Sequence, residues 1–140
     1  MLDWKDLSPR PYKKLDVDPY TKARIILMNG IEVEAVMFGH NFNRNCEDND
    51  LRRELALLRR IEQGQQKHVN WLSPSDETPL ETTIGYEQLA VDLTAWLAMH
   101  EPDHYAKACM DFALLEDFDH LYRYANLLKM DEDLPAHKLV

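Results

Sequence analysis

Residues 104–130, HYAKACMDFALLEDFDHLYRYANLLKM, decide the fold. They follow a break at Glu101–Pro102–Asp103, and their apolar residues recur at helical spacing rather than in strict alternation. At 100° per residue, Tyr105, Cys109 and Phe112 form one line, and Glu116 falls about 20° from its start. Leu114, Leu121 and Leu128 lie roughly opposite Phe112, so the segment is apolar on most sides. Such a helix is central in a larger structure or is covered by a partner. Pro102 near the first turn is tolerated because N–H groups there have no intrahelical partner.

Working outward, three more segments carry helical periodicity: about Thr21 to Asn43, about Asp50 to Leu72, and a third from the Ser73–Pro79 turn to about His100. These lengths are about twice the mean globular helix, and the links are short, which favours antiparallel neighbours in a bundle. Residues 1–20 differ: Pro9, Pro11 and Pro19 keep them extended or turned, with Trp4, Tyr12 and Tyr20 to pin them down. The expected organisation is an extended arm over 1–20, an all-α four-helix bundle over 21–130, and a tail over 131–140. Gly30, Gly39, Gly64 and Gly85 would permit close approach at a helix crossing, and where exposed each costs roughly 1 kcal/mol.

The chain of 140 residues is long enough for one core without staples. Its formal charge of -9, from 25 acidic and 16 basic residues, argues against nucleic acid as a partner. The densest basic patch, Arg52, Arg53, Arg59 and Arg60, is interrupted by Glu54 and followed by Glu62. Cys46 and Cys109 read as reduced thiols, and no apolar run reaches the ~20 residues of a membrane helix. The expected location is cytoplasmic. No phosphate loop, nucleophile elbow or His-Glu-x-x-His motif is present.

Each helix places one glutamate on its inner face. The first carries Glu32 on the line of Ile25, Met28 and Val36, and the second carries Glu62 among Leu51, Leu55, Leu58 and Val69, with Gln65 alongside. Glu87 lies on the third stripe, Leu80, Ile84, Val91 and Ala98. Glu116 lies on the fourth, flanked by Asp119 and His120. Counting from the turns, the four carboxylates differ in height by at most about three residues, or ~4.5 Å. An unpaired ionised carboxylate in a core is costly, and like charges resist joint ionisation. The remedies are protonation, pairing with Arg24, Arg59, Arg60 or Arg123, or metal ions of the Fe or Mn kind, which accept carboxylate and imidazole. His40, His100 and His104 gather with Cys46 towards one bundle end and read as surface or capping residues.

The string Glu116-Asp117-Phe118-Asp119-His120, taken with Glu32, Glu62 and Glu87, resembles the ferritin-like di-iron carboxylate superfamily, rubrerythrin-like bundles in particular. That superfamily sets one Glu on each of two helices and a Glu-x-x-His on each of the others, all inward. The resemblance implies two Fe ions, or Mn, held by Glu32, Glu62, Glu87, Glu116 and His120, with Gln65, Asp119 and Asp117 as weaker candidates. By helical face the last pair is Glu116 and His120; by Glu-x-x-His spacing it is Asp117 and His120.

Two departures stand out. Gln65 occupies a position where the pattern has histidine, and the Ser73–Pro79 link favours up-down-up-down connectivity over the family's long crossover. The implied activity is an oxidoreductase acting on peroxide, dioxygen or Fe(II). An external electron donor is implied as well, since the chain has no paired-cysteine knuckles for a rubredoxin-type iron. Tyr122 is a weak candidate redox residue. The chain is expected to form a homodimer or larger homo-oligomer. The competing reading is a non-catalytic helical oligomerisation or interaction module whose buried glutamates pair with arginines.

Overall fold

A computed structural model describes residues 9–132. The fold is all-α, with four helices and no strand among the described residues: α1 (Pro19–Asn45), α2 (Asn49–Asn70), α3 (Pro79–His100) and α4 (His104–Glu132). The chain divides into two compact units between Asp76 and Glu77, one holding α1 and α2 and the other α3 and α4. Each is a helical hairpin.

Local chemistry sets the helix ends. Asp18 caps α1, its carboxylate accepting from the N–H groups of Tyr20 and Thr21 at 2.9 and 3.1 Å. Pro19 then occupies the first turn, where its missing N–H costs nothing, so α1 begins slightly earlier than Thr21. Asp48 caps α2 by accepting from the Leu51 N–H at 2.9 Å. Thr78 and Glu81 form a reciprocal capping box at the start of α3. Asp103 accepts from the Ala106 N–H at 2.8 Å at the start of α4.

In the first hairpin the Cys46–Asp48 link turns α2 back along α1. Asn43 donates through Nδ2 to the Arg52 carbonyl at 2.7 Å, and Gln66 donates through Nε2 to Asn29 Oδ1 at 2.9 Å. These bonds fix an antiparallel register. Residues 9–18 of the expected arm are tied to this hairpin by backbone: the Tyr12 N–H donates to the Leu72 carbonyl, and the Lys14 N–H to Asp76. Val17 is its buried residue, whereas Tyr12 and Tyr20 are exposed. Trp4 and most of the expected tail lie outside the described residues.

The second hairpin has the clearer core. Ile84, Val91 and Ala98 are buried along α3, and Leu121, Ala125 and Leu128 along α4. Ile84, Val91, Leu121 and Leu128 form one cluster, with Leu80, Leu114 and Tyr124 packed against it. Ile84/Val91/Ala98 and Leu114/Leu121/Leu128 each repeat every seven residues, the spacing that keeps one stripe facing a partner helix. The inner stripe expected for the third helix is thus the one observed. For α4 the stripe differs. Leu121 is 1% exposed, while Tyr105 is 81% and Phe112 63% exposed. Both faces of α4 are apolar, and the leucine repeat matches the repeat of α3, so it takes the inner position.

No described helix is long and apolar enough to cross a membrane.

Candidate metal centre

The leucine stripe of α4 passes through Asp117, which stands between Leu114 and Leu121 on the same face. His120 follows Asp117 by one helical turn and rises beside it. On α3, Glu87 lies between Ile84 and Val91. The antiparallel pairing brings these positions together: one donor atom each from Glu87, Asp117 and His120 all lie within 4.8 Å of one another. His120 Nδ1 stands 3.9 Å from Glu87 Oε2. The Glu87 side chain is 20% exposed and that of His120 50%, so the cluster sits at the edge of the hairpin core.

Two carboxylates at this separation repel, and partial burial weakens the screening that water would give. A protonated imidazole offsets part of that charge, and a divalent cation offsets more. Around one first-row ion, bonds of about 2.1 Å hold donors no more than about 4.2 Å apart. The Glu87–His120 separation already satisfies this, and modest side-chain rotation brings in the rest. Two carboxylates and one imidazole suit Fe or Mn, being hard to borderline oxygen and nitrogen donors. The donor set therefore fits the metals implied by the resemblance, and the hairpin forms a metal-capable Glu/Asp/His cluster.

A comparison with family models, curated proteins and solved structures finds no match. The functional reading therefore rests on this geometry.

The remaining predicted residues are distributed as follows. Glu116 is exposed, one residue and about 100° away from the face that Asp117 occupies. Asp119 is exposed and accepts from Arg123 Nε at 2.7 Å. Tyr122 is 54% exposed. In the first hairpin Glu32 and Glu62 are both half-buried. Glu32 is three residues beyond Asn29 and Glu62 four before Gln66, so the Asn29–Gln66 bond sets them at one level. Gln65 is half-buried three residues beyond Glu62 and lines a shallow depression with Ile61, Gly64 and His68.

The rival arginine network is not formed within either hairpin. Among the described residues none of Glu32, Glu62, Glu87 and Glu116 is ion-paired to an arginine; Arg53 pairs with Asp50 and Arg123 with Asp119. Arg59 instead contacts the His40 ring. His100 stacks on Trp96 with ring centroids 4.2 Å apart and bonds through Nδ1 to the Trp96 carbonyl. It is engaged locally, as a capping histidine is. Glu87, Asp117 and His120 are the one metal-capable group among the described residues.

Sequence reasoning missed Thr94. Its hydroxyl donates to Asp117 Oδ2 at 3.0 Å across the hairpin. The signal was present in the spacing of Glu87, Val91, Thr94 and Ala98, which puts a second polar residue on the inner stripe of α3.

Proposed function

We propose that this chain is a ferritin-like metalloprotein that binds a pair of Fe or Mn ions and acts as an oxidoreductase. The convergence of Glu87, Asp117 and His120 carries this reading. Asp117 and His120 supply the carboxylate-x-x-His element on α4, and Glu87 supplies the single carboxylate of α3. Within the first hairpin the common level of Glu32 and Glu62 supports them as a second carboxylate pair, with Gln65 as a weaker donor. Bound there, the metals would supply the electrons that reduce dioxygen or peroxide, or would take them from Fe(II).

The chain's own residues would hold charge and orientation. Glu87 and Asp117 balance cationic charge from a half-buried position, where their attraction for it exceeds that of exposed carboxylates. His120 contributes the neutral nitrogen donor. We place the source of electrons in a separate donor protein and the chain in the cytoplasm. The protein is proposed to work as a homodimer, a reading supported by exposed Tyr105, Phe112 and Leu115 on α4.

Metal analysis tests the proposal. Protein purified without chelator, or titrated anaerobically with Fe(II), is expected to retain about two ions per chain, the complement of such carboxylate bundles. No uptake of Fe(II) or Mn(II), with an unchanged melting temperature, would favour a non-catalytic helical module.

A further inference from the structure

We infer that Thr94 is a positioning residue for this site: its hydroxyl holds the Asp117 carboxylate in the orientation a bound cation requires. The inference rests on the metal reading above and adds a group that does not itself touch the ion.

Two threonines of α3 show the contrast. A helical threonine commonly turns its hydroxyl onto the carbonyl one turn back. Thr83 does so, donating to the Pro79 carbonyl at 2.9 Å. Thr94 leaves its own helix and donates to Asp117 Oδ2 on α4 at 3.0 Å, in a partly buried setting. A hydroxyl bonded to a carboxylate in such a setting is stronger than a neutral pair in water.

Asp117 is one methylene shorter than the glutamate that the superfamily pattern places there, so it has less reach and its rotamer matters more. A carboxylate has about four acceptor positions, and one hydroxyl leaves the others for a cation. The Thr94 bond fixes the plane of that carboxylate before metal arrives, which lowers the ordering cost at binding. Thr94 also stands one seven-residue repeat beyond Glu87, so one helix face carries both the ligand and the support for its partner.

Co(II) is the probe, because its visible spectrum reports ligand arrangement as well as occupancy. The full chain is titrated as wild type, Thr94→Val, Thr94→Ser and Asp117→Asn. Thr94→Val keeps the shape and loses the donor, and it should bind Co(II) roughly tenfold or more weakly with an altered spectrum. Thr94→Ser should recover affinity and spectrum, which a purely packing role for the methyl group would not predict. If Thr94→Val loses its helical signal, Thr94→Ala against Thr94→Ser makes the same comparison. Equal Co(II) affinity and spectra in wild type and the hydroxyl-free variant would overturn the role of Thr94 while leaving the metal site standing. A wild-type chain that takes up no Co(II), Mn(II) or Fe(II) would overturn the site itself, and the positioning role with it.

Discussion

Glu116 and Asp117 are neighbours in sequence, separated by about 100° around α4, and that rotation decides which carboxylate meets Glu87. With Leu121 inside, Asp117 faces α3 and Glu116 faces outward. Asp117→Asn and His120→Ala are therefore expected to weaken Fe(II) or Co(II) binding at least tenfold, whereas Glu116→Gln should stay within about twofold. Anaerobic titrations of the three variants check this; comparable losses for Glu116→Gln would return Glu116 to the ligand set. The residue scale also shows what was legible. Glu87 could be placed because Ile84, Val91 and Ala98 define its stripe without competition. His120 could be placed by either spacing. The choice between Glu116 and Asp117 could not be made from one helix, because it depends on which apolar line the partner helix covers. Thr94 was hidden for another reason: a threonine hydroxyl has a local acceptor on its own helix, and only the neighbouring helix of the hairpin shows that it bonds elsewhere.

At the scale of elements, helix ends were readable because their chemistry is local. Asp18 before Pro19, and Thr78 before Pro79 and Glu81, announce starts that need no tertiary contact. Rotational phase was less readable wherever apolar residues surround a helix, as in α4. The observed phase makes a demand on stability. Leu121 is almost fully enclosed between Ile84, Val91 and Leu128, so Leu121→Ala removes buried methyl groups and leaves a void. Urea unfolding should show a loss of about 2–5 kcal/mol. A loss below about 1 kcal/mol would mean that another face of α4 is the packed one. Glycine gives the opposite sign. A Cβ added at Gly30 meets nothing within 4 Å, and Gly30 lies in the interior of α1. Gly30→Ala should therefore stabilise the protein by about 0.5–1 kcal/mol through helix propensity and reduced freedom of the unfolded chain. Destabilisation in the same urea experiment would show that the position needs the small residue for close approach.

For the whole molecule, the question is what becomes of the apolar residues that a two-helix pair leaves uncovered. A hairpin buries one stripe on each helix, and α4 carries two. The second stripe exposes Tyr105, Phe112 and Leu115, with Met130 beyond it, while α1 exposes Ile31, Met37 and Phe38. Large apolar side chains exposed together on one helix face mark association sites more often than ordinary solvent-facing surface. Closed two-fold assembly is the commonest way for one chain to cover such a patch with its own copy. Sedimentation equilibrium of the full chain should accordingly give twice the 16.5 kDa chain mass. Placing charge on the second stripe of α4, as Phe112→Glu with Leu115→Lys, should shift the population towards monomer while the circular dichroism of the helices is retained. Because neither position belongs to the Glu87–Asp117–His120 cluster, a monomeric variant that still binds Co(II) would separate association from metal binding. A wild-type chain that sediments as a monomer at every concentration would remove the dimer from the functional reading and leave the metal cluster to be judged on its own.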